Sequence, residues 1–298
     1  MRKSSVYLPD EMKAGLAALS ARWDRSEAEL IRLAIDRLVA TAEHDAAPAR
    51  AVEVPTGPCL LGVGIGPSDP DLVTERALVA IRSADRVCAA STGADVISRA
   101  EAVVRAVAPE VTVDRLVVDI GDEADARARS IADGADQLVA HLDRGLLVAL
   151  VVLGDPNVYS VFSRLASLVR AQRPTVPIAS VPGIMGFQEL AARTGTVLVE
   201  GDEQLSILSL DDEVGPIEPL LDDADRTVVI YKGGRHVPAV ARLLDDHARG
   251  DGAVLGEMLG LPGGRSVDVA SVADRPASYL ATVVIPARRA SEGQEPSS

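Results

Sequence analysis

The stretch LLGVGIGPSDP, residues 60–70, decides the fold of this chain. A short apolar run passes into three glycines at alternate positions, Gly62, Gly64 and Gly66, and then into a proline-rich turn. The helix-like segment LVTERALVAIRSAD follows. Strands that lead through such a turn into a helix commonly bind nucleotide-like or anionic ligands in α/β proteins. Glycine allows a ligand to lie against the backbone, although the loop by itself is also consistent with a merely tight turn.

The alternation of strand and helix continues along the chain. Apolar runs typical of strands lie near residues 59–65, 86–90, 111–118, 146–153, 176–181, 204–210, 226–231, 253–258 and 279–285. Helical patterns between most of them predict an α/β architecture with largely parallel sheets. This many strands suggest two lobes, residues 58–154 and 155–287, with a hinge near Gly154–Pro156 and a disordered tail at 288–298.

Composition and charge exclude several classes of protein. With 298 residues and 47% hydrophobic side chains, the chain can bury a core, so global disorder is excluded. Aromatic residues make up 2%, which argues against a general single-strand nucleic-acid binder. The formal net charge of −14 means that any anion-binding patch must be local.

Targeting and redox signals favour a soluble cytoplasmic protein. The two cysteines, Cys59 and Cys88, form no CxxC motif, which suits a reducing compartment and gives no metal signature. No signal peptide is visible at the N-terminus. The longest apolar run, Leu146–Leu153, is far too short to span a membrane.

Residues 1–42 form a unit of their own. Alternation over residues 3–8 predicts a strand, and Pro9 ends it. Asp10 is the expected N-cap of a helix that reaches Trp23, and Ser26 with Glu29 predicts a capping box ahead of a second helix. Residues 43–57 read as a linker. One strand and two helices cannot close a core, so we expect this unit to pair with a copy of itself or to lie on another domain.

The segment SSVYLPDEMKAGLAALSARWDRSEAELIRLAIDRLV resembles the ribbon-helix-helix DNA-binding family. The resemblance implies that two strands pair into a ribbon that enters the major groove. Lys3, Ser5 and Tyr7 would then read bases, and Ser26 would contact a phosphate. Residues 1–40 carry seven basic and six acidic side chains, a weak balance for DNA binding, so a pure dimerisation arm stays open.

Two further strand-end loops carry chemistry-bearing residues. GDPNVY, Gly154–Tyr159, follows the most apolar strand, and PGIMGF, Pro182–Phe187, follows another. Asp155 either caps the next helix or orients a ligand ribose or amine. Three loops of similar construction at strand ends predict one cleft that all three line.

Together GVGIGPSDPDLVT, GDPNVY and PGIMGF make residues 58–287 resemble the tetrapyrrole methylase family, most closely its precorrin-2 carbon-20 methyltransferase subgroup. The segments VLVEGDEQLSILSL, LDDADRTVVIYKGGRHVPAV and YLATVVIP keep that subgroup's order. The resemblance implies a homodimer of two-lobed chains with S-adenosylmethionine bound between the lobes. The cofactor contacts it implies are Gly64, Pro67, Leu153, Gly154, Asp155, Val158, Met185, Gly186 and Lys232.

The chain departs from the family pattern at several points. Ser68 replaces the last glycine of the opening motif, and Met185 and Gly186 replace small hydroxyl or alanine residues. Ala89 and Ala90 lie where family members carry a polar residue, and the following segment STGADVISRA is short. No catalytic residue can therefore be carried over.

The resemblance implies methyl transfer to a ring carbon of a reduced tetrapyrrole, precorrin-2 or its cobalt form, in cobalamin biosynthesis. Such a substrate carries several carboxylates, which need cations. The candidates for substrate binding are Tyr159, Arg193, Arg235 and His236, beside Lys232. A solvated helix start at Lys232–His236 is the alternative for that cluster. Two other functions stay open: a transcriptional regulator that uses the domain as a ligand sensor, and a methyltransferase with another acceptor.

Overall fold

The computed structural model describes residues 9–289 apart from 24, 33, 36–53, 120–122, 211–213 and 279. The chain divides into two units, Met1–Glu53 and Val54–Ser298, and the division falls within the predicted linker. The predicted strand with Lys3, Ser5 and Tyr7 lies outside the described residues, and so does most of the polar tail.

The described part of the first unit is helical. Helix α1 spans Asp10–Trp23, and residues 27–32 and 34–35 belong to further helix. Asp10 is the first helical residue rather than the predicted N-cap, because the helix already begins with Lys13 N donating to Pro9 O. The predicted capping box is confirmed: Ser26 N donates to Glu29 Oε2 at 2.9 Å, and Glu29 N donates to Ser26 Oγ at 3.3 Å.

The second unit opens with an all-parallel sheet in the order β3-β2-β4-β1-β5. Its strands are β1 Cys59–Gly64, β2 Arg86–Ser91, β3 Val113–Val117, β4 Leu147–Val152 and β5 Ile178–Val181. The helices that connect them are α2 Glu75–Ser83, α3 Arg99–Val107, α4 Ala124–Leu142 and α5 Val161–Gln172.

Every residue of β1 and β4 is buried, as expected for central strands with helices on both faces. Ile81 of α2 and Val104 of α3 pack in the cluster on one face, and Leu138 of α4 and Leu165 of α5 pack in the cluster on the other. Full burial of such side chains contributes about 1.5–3 kcal/mol each to folding. Because all five strands are parallel, their carboxyl ends lie at one edge of this well-packed sheet.

The remaining strands form a second sheet in the order β6-β7-β10-β8-β9. They are β6 Gln204–Ser209, β7 Arg226–Tyr231, β8 Val254–Glu257, β9 Arg265–Asp268 and β10 Thr282–Ile285. Helix α6, Gly186–Thr194, packs on one face, and α7, Glu218–Leu221, with α8, Val237–Asp246, packs on the other.

The second sheet corrects two predictions. Of its four strand pairs only β6–β7 is parallel, so the prediction of largely parallel sheets holds for the first sheet alone. Strands β8 and β9 form an antiparallel hairpin through the short connection 258–264, and β10 lies antiparallel between β7 and β8. The sequence analysis also missed β9, whose residues RSVD carry charges at both ends and no apolar run.

The lobe boundary predicted at residue 154 falls inside the first sheet. Strand β5 pairs with β1, from Leu60↔Ile178 to Val63↔Val181, so the chain passes to the second sheet only after Val181. None of the helices among the described residues is long and apolar enough to cross a bilayer.

Candidate functional site

A cavity of about 540 Å³ lies between the carboxyl edge of the first sheet and the strand ends of the second. All three predicted loops line it, through Pro67 and Ser68, Gly154 and Tyr159, and Met185 with Gly186. The second sheet contributes strand-end residues, among them Tyr231, Lys232, Met258 and Thr282. The prediction that the three loops share one cleft is confirmed.

The glycines of the opening loop pack against protein rather than against the cavity. A Cβ on Gly62 would lie 2.7 Å from the Phe162 ring, and one on Gly64 would lie 2.6 Å from Gly183 N. Gly64 therefore does not line the cavity, which corrects its predicted contact with a ligand. These glycines allow the three loops to pack backbone on backbone.

Hydrogen bonds join the loops further. Gly154 N donates to Gly66 O at 2.8 Å, which bridges the first loop to the second. The carboxylate of Asp155 accepts from Asn157 N at 2.8 Å and from Gly183 N at 3.2 Å. Asp155 is not among the lining residues, and the next helix is capped by Ser160, so its carboxylate ties the loops together, which is neither of its two predicted roles.

Left-handed backbone is concentrated at the cavity. Among the described residues, five other than glycine have positive φ: Ser68 (122°), Tyr159 (48°), Lys232 (56°), Ala248 (49°) and Met258 (53°). All except Ala248 line the cavity. Such conformations cost about 1–3 kcal/mol each and are typical of functional sites.

Aromatic side chains connect the two sheets beside the cavity. Tyr159 follows β4, and its hydroxyl donates to Ile207 O of β6 at 3.0 Å. Its ring lies 6.3 Å from that of Tyr231, centroid to centroid, and Phe187 packs edge-on against Tyr231 at 6.3 Å. Burial raises the pKa of Tyr231 to about 12, so its hydroxyl stays protonated at neutral pH.

The segment after β2 forms one wall of the cavity, and a buried ion pair holds it in place. Glu101 of α3 is 1% exposed and accepts from Arg115 at 2.6 and 2.8 Å. Arg115 also donates to Ala94 O at 2.6 Å, just before residues 96–100, which line the cavity. The hydrogen bond from Arg115 holds the pKa of Glu101 below its usual value. Both groups are therefore charged at neutral pH and hold this wall in place.

Most of the predicted cofactor contacts come together. The residues that line the cavity are Pro67, Leu153, Gly154, Val158, Met185, Gly186 and Lys232. Gly64 and Asp155 do not, for the reasons given above.

The predicted substrate contacts divide differently. Tyr159 lines the cavity, but Arg193, Arg235 and His236 do not. Arg193 pairs with Glu189 one turn earlier on α6 and lies 3.7 Å from Asp69. Arg235 Nε donates to His236 Nε2 at 3.1 Å, in a turn whose Gly234 O accepts from Ala277 N.

Arg99 is a lining cation that the sequence analysis missed. It is the first residue of α3 and is half-buried. Its side chain makes no hydrogen bond or ion pair with the described residues. With Lys232 it supplies the cationic side chains among the lining residues that the structure describes. The segment ISRA carries no motif, and only the fold brings Arg99 to the cavity that Lys232 also lines.

A second polar group lies at the other end of β2 and β3. Cys88, Asp114 and His141 bring candidate metal-ligand atoms within 4.8 Å of one another. Burial raises the pKa of the Cys88 thiol to about 12, and Arg86 lies 4.0 Å from Asp114. These features favour a neutral thiol beside an ion-paired carboxylate, and we assign no metal to the group.

Comparison of the sequence with known proteins gives the family. The family model "Tetrapyrrole (Corrin/Porphyrin) Methylases" matches residues 60–273. A precorrin-2 C(20)-methyltransferase of Sinorhizobium sp is 32% identical over 236 residues, which are 76% of this chain and 94% of that protein. The cobalamin biosynthesis protein CobIJ of Mycobacterium tuberculosis is 31% identical over 77% of this chain, and the chain spans only 46% of its length.

The fold is that of a solved methyltransferase. A uroporphyrin-III C-methyl transferase from Thermus thermophilus, complexed with S-adenyl homocysteine, superposes with a TM-score of 0.53 at 20% identity. The superposition covers 76% of this chain and 96% of that structure.

Proposed function

Because this chain belongs to the tetrapyrrole methylase family, whose cofactor is S-adenosylmethionine, we propose that it methylates a ring carbon of precorrin-2 or cobalt-precorrin-2. The reaction would belong to cobalamin biosynthesis, in the cytoplasm, where the free buried Cys59 and Cys88 would stay reduced. The observation that carries the proposal is the cavity in which the three motif-bearing loops meet Arg99 and Lys232, whose side chains have no ion-pair partner among the described residues.

The cavity residues fit the cofactor. About 540 Å³ is within the usual range of small-molecule sites. Leu153, Val158 and Met185 offer apolar surface to a nucleoside, and the left-handed Gly154 backbone lies beside them. The hydroxyl of Ser68 has no partner among the described residues, so a polar group is available to a ligand in the cavity. The residues that would hold the cofactor are Pro67, Leu153, Gly154, Val158, Met185, Gly186 and Lys232.

The chemistry asks little of the protein beyond alignment. When bound, S-adenosylmethionine supplies a methyl group on a sulfonium, which is already an activated electrophile. An enamine-like ring carbon needs no strong base to attack it. This agrees with a cavity whose described lining residues include neither a histidine nor a carboxylate. The residues of this chain would orient the acceptor carbon and exclude water.

Arg99 and Lys232 suit the carboxylates of a reduced tetrapyrrole. They extend from different sheets, so together they could hold two carboxylates across the cleft. The mouth around them is apolar and open, with Val96, Ile97 and Leu280 exposed by 47%, 51% and 42%. Exposed apolar side chains around a cavity are typical of a site for a large, flat ligand.

The test is turnover with isotopically labelled S-adenosylmethionine and precorrin-2 or cobalt-precorrin-2, with the product followed by mass spectrometry. We expect Arg99→Gln and Lys232→Gln each to raise the KM for the tetrapyrrole about tenfold, as loss of a charge-assisted hydrogen bond would. The matched control is Arg170→Gln, an exposed arginine on α5 outside the cavity, which should leave KM unchanged.

Two outcomes would contradict the proposal. Cofactor binding without product on any tetrapyrrole would favour the ligand-sensor alternative. Product only with an unrelated acceptor would favour a methyltransferase of this fold with another substrate. Equal KM values in all three variants would remove Arg99 and Lys232 from the substrate site while leaving methyl transfer intact.

For residues 1–42 we propose a ribbon-helix-helix arm that dimerises the chain and binds double-stranded DNA through Lys3, Ser5, Tyr7 and Ser26. The proposal is supported by the pair of helical segments and by the Ser26–Glu29 capping box. The box presents the N-terminus of the second helix, where a phosphate would be favoured.

Deletion of residues 1–50 tests the arm. We expect loss of a gel shift on the gene's own promoter at low salt, and conversion of a dimer to a smaller species by light scattering, with methyl transfer retained. If the intact chain gives no shift at low salt, the arm is only a dimerisation element. If the deletion leaves the oligomeric state unchanged as well, it is neither.

A further inference from the structure

Ser68 combines burial with a backbone conformation that suits glycine. Its φ is 122°, a value at which a Cβ clashes with the neighbouring peptide groups, and it is 3% exposed. It is also one of the residues that line the cavity. A residue other than glycine at this position therefore costs folding free energy.

The surrounding loops impose this conformation. The bridge between Gly66 and Gly154 holds the chain just before Ser68, and Asp69 Oδ1 accepts from Asp71 N at 3.0 Å just after it. From the second sheet, Gly260 packs so closely that a Cβ there would lie 2.9 Å from Asp69 Cα and from Ser68 C. Ser68 cannot relax without separating the two sheets at this point.

The Ser68 hydroxyl has no partner among the described residues, unlike the hydroxyls of Ser91, Ser98 and Ser160; the hydroxyl of Thr282, also a 3% exposed lining residue, shares this lack. Ser91 donates to Val96 O at 2.6 Å, and Ser98 and Ser160 accept from backbone N–H groups of their helices at 3.2 Å. A buried hydroxyl without a hydrogen bond is unfavourable unless a ligand or a water completes it. Ser68 lines the cavity, so its hydroxyl is available to a ligand bound there.

We propose that the Ser68 hydroxyl hydrogen-bonds the bound S-adenosylmethionine, and that the strained backbone is retained for this contact. The inference rests on the proposed function, since it takes that cofactor as the ligand. The cofactor is favoured over the tetrapyrrole because Ser68 is almost fully enclosed where the loops meet, whereas Val96, Ile97 and Leu280 at the mouth are about half exposed.

Two substitutions separate the hydroxyl from the strain. Ser68→Ala removes the hydroxyl but keeps the strain, so we expect about fivefold weaker binding of S-adenosylhomocysteine by calorimetry with little change in Tm. Ser68→Gly removes both, so we expect a similar loss of affinity together with a Tm about 2–4 °C higher. A variant that folds better and binds worse is not explained by damage to the fold.

The matched control is Ala248→Gly. Ala248 has a φ of 49° and does not line the cavity, so glycine there should raise Tm and leave the affinity unchanged. Wild-type affinity within twofold in both Ser68 variants would overturn the inference while the proposed function stands. Failure of the wild-type chain to bind S-adenosylhomocysteine would overturn both.

Discussion

In the two sheets of the second unit, the segments that follow the strands are held together in different ways. In the first sheet the strand-end loops pack backbone on backbone, at Gly64, Gly154 and Gly183. In the second sheet the side chain of Arg249 holds such segments together. It is 2% exposed and donates to the carbonyls of Leu221, Asp223, Arg226 and Pro286.

The difference follows from strand direction. Parallel strands all end at one edge, so their loops meet there and small residues allow close contact. In the mainly antiparallel sheet, some strands begin and others end at the same edge. Carbonyl groups in the irregular segments there have no partner in the hydrogen bonding between strands. The five N–H groups of one guanidinium can satisfy them. The first arrangement creates a ligand cavity, whereas the second stabilises an edge.

The largest effect is expected from Arg249→Met. It would leave one buried and three partly buried carbonyls without this donor, at about 1–3 kcal/mol for each unsatisfied group, so we expect a loss of about 4 kcal/mol or more in unfolding free energy. Urea denaturation measures it. Arg242→Met, an exposed arginine on α8, should change the free energy by less than about 0.5 kcal/mol. Equal effects would show that the guanidinium does not hold this edge.

Gly64→Ala should come next and act on both stability and binding. The new methyl group would meet backbone atoms of Gly154 and Gly183, which cannot rotate away, so we expect a loss of about 3 kcal/mol. Because those loops line the cavity, affinity for S-adenosylhomocysteine should fall as well. The control is Gly215→Ala, where a Cβ has nothing within 4 Å. Unchanged affinity in a folded Gly64→Ala protein would separate loop packing from the site.

The smallest effect is a pH dependence at the buried pair behind the cavity wall. The hydrogen bond from Arg115 lowers the pKa of Glu101 from the ordinary value of 4.5. A carboxyl whose folded-state pKa is lowered contributes stability above its unfolded pKa, and the contribution is lost as pH falls through the folded value. We expect Glu101→Gln to destabilise the protein by about 2 kcal/mol at neutral pH.

Below the unfolded value of 4.5 the difference between Glu101→Gln and wild type should shrink as the pH falls. Urea denaturation of both proteins at neutral pH and at successively lower pH values measures it. The second sheet offers a comparison, because burial lowers the pKa of Arg249 from a value far above this range, so its contribution should not change over the same interval. A constant difference for Glu101→Gln would contradict the assignment.

Local patterns predicted much of the fold. All nine apolar runs are strands, because continuous apolar residues between turns have few other ways to be buried. The capping box at Ser26 was also predictable, because it depends on two residues three positions apart. Strand β9 was not, since a short edge strand with charged ends has no apolar run to reveal it.

The sequence by itself determined nine of the ten strands that the structure describes, the family, and which three loops would share a cleft, because these depend on residues close together in the chain. The tertiary structure decided what those residues do. Gly64 packs on other loops, Asp155 ties two of them together, and Arg99 reaches the cavity from a segment without a motif. Each role depends on distances between segments far apart in sequence, which only strand order and direction establish.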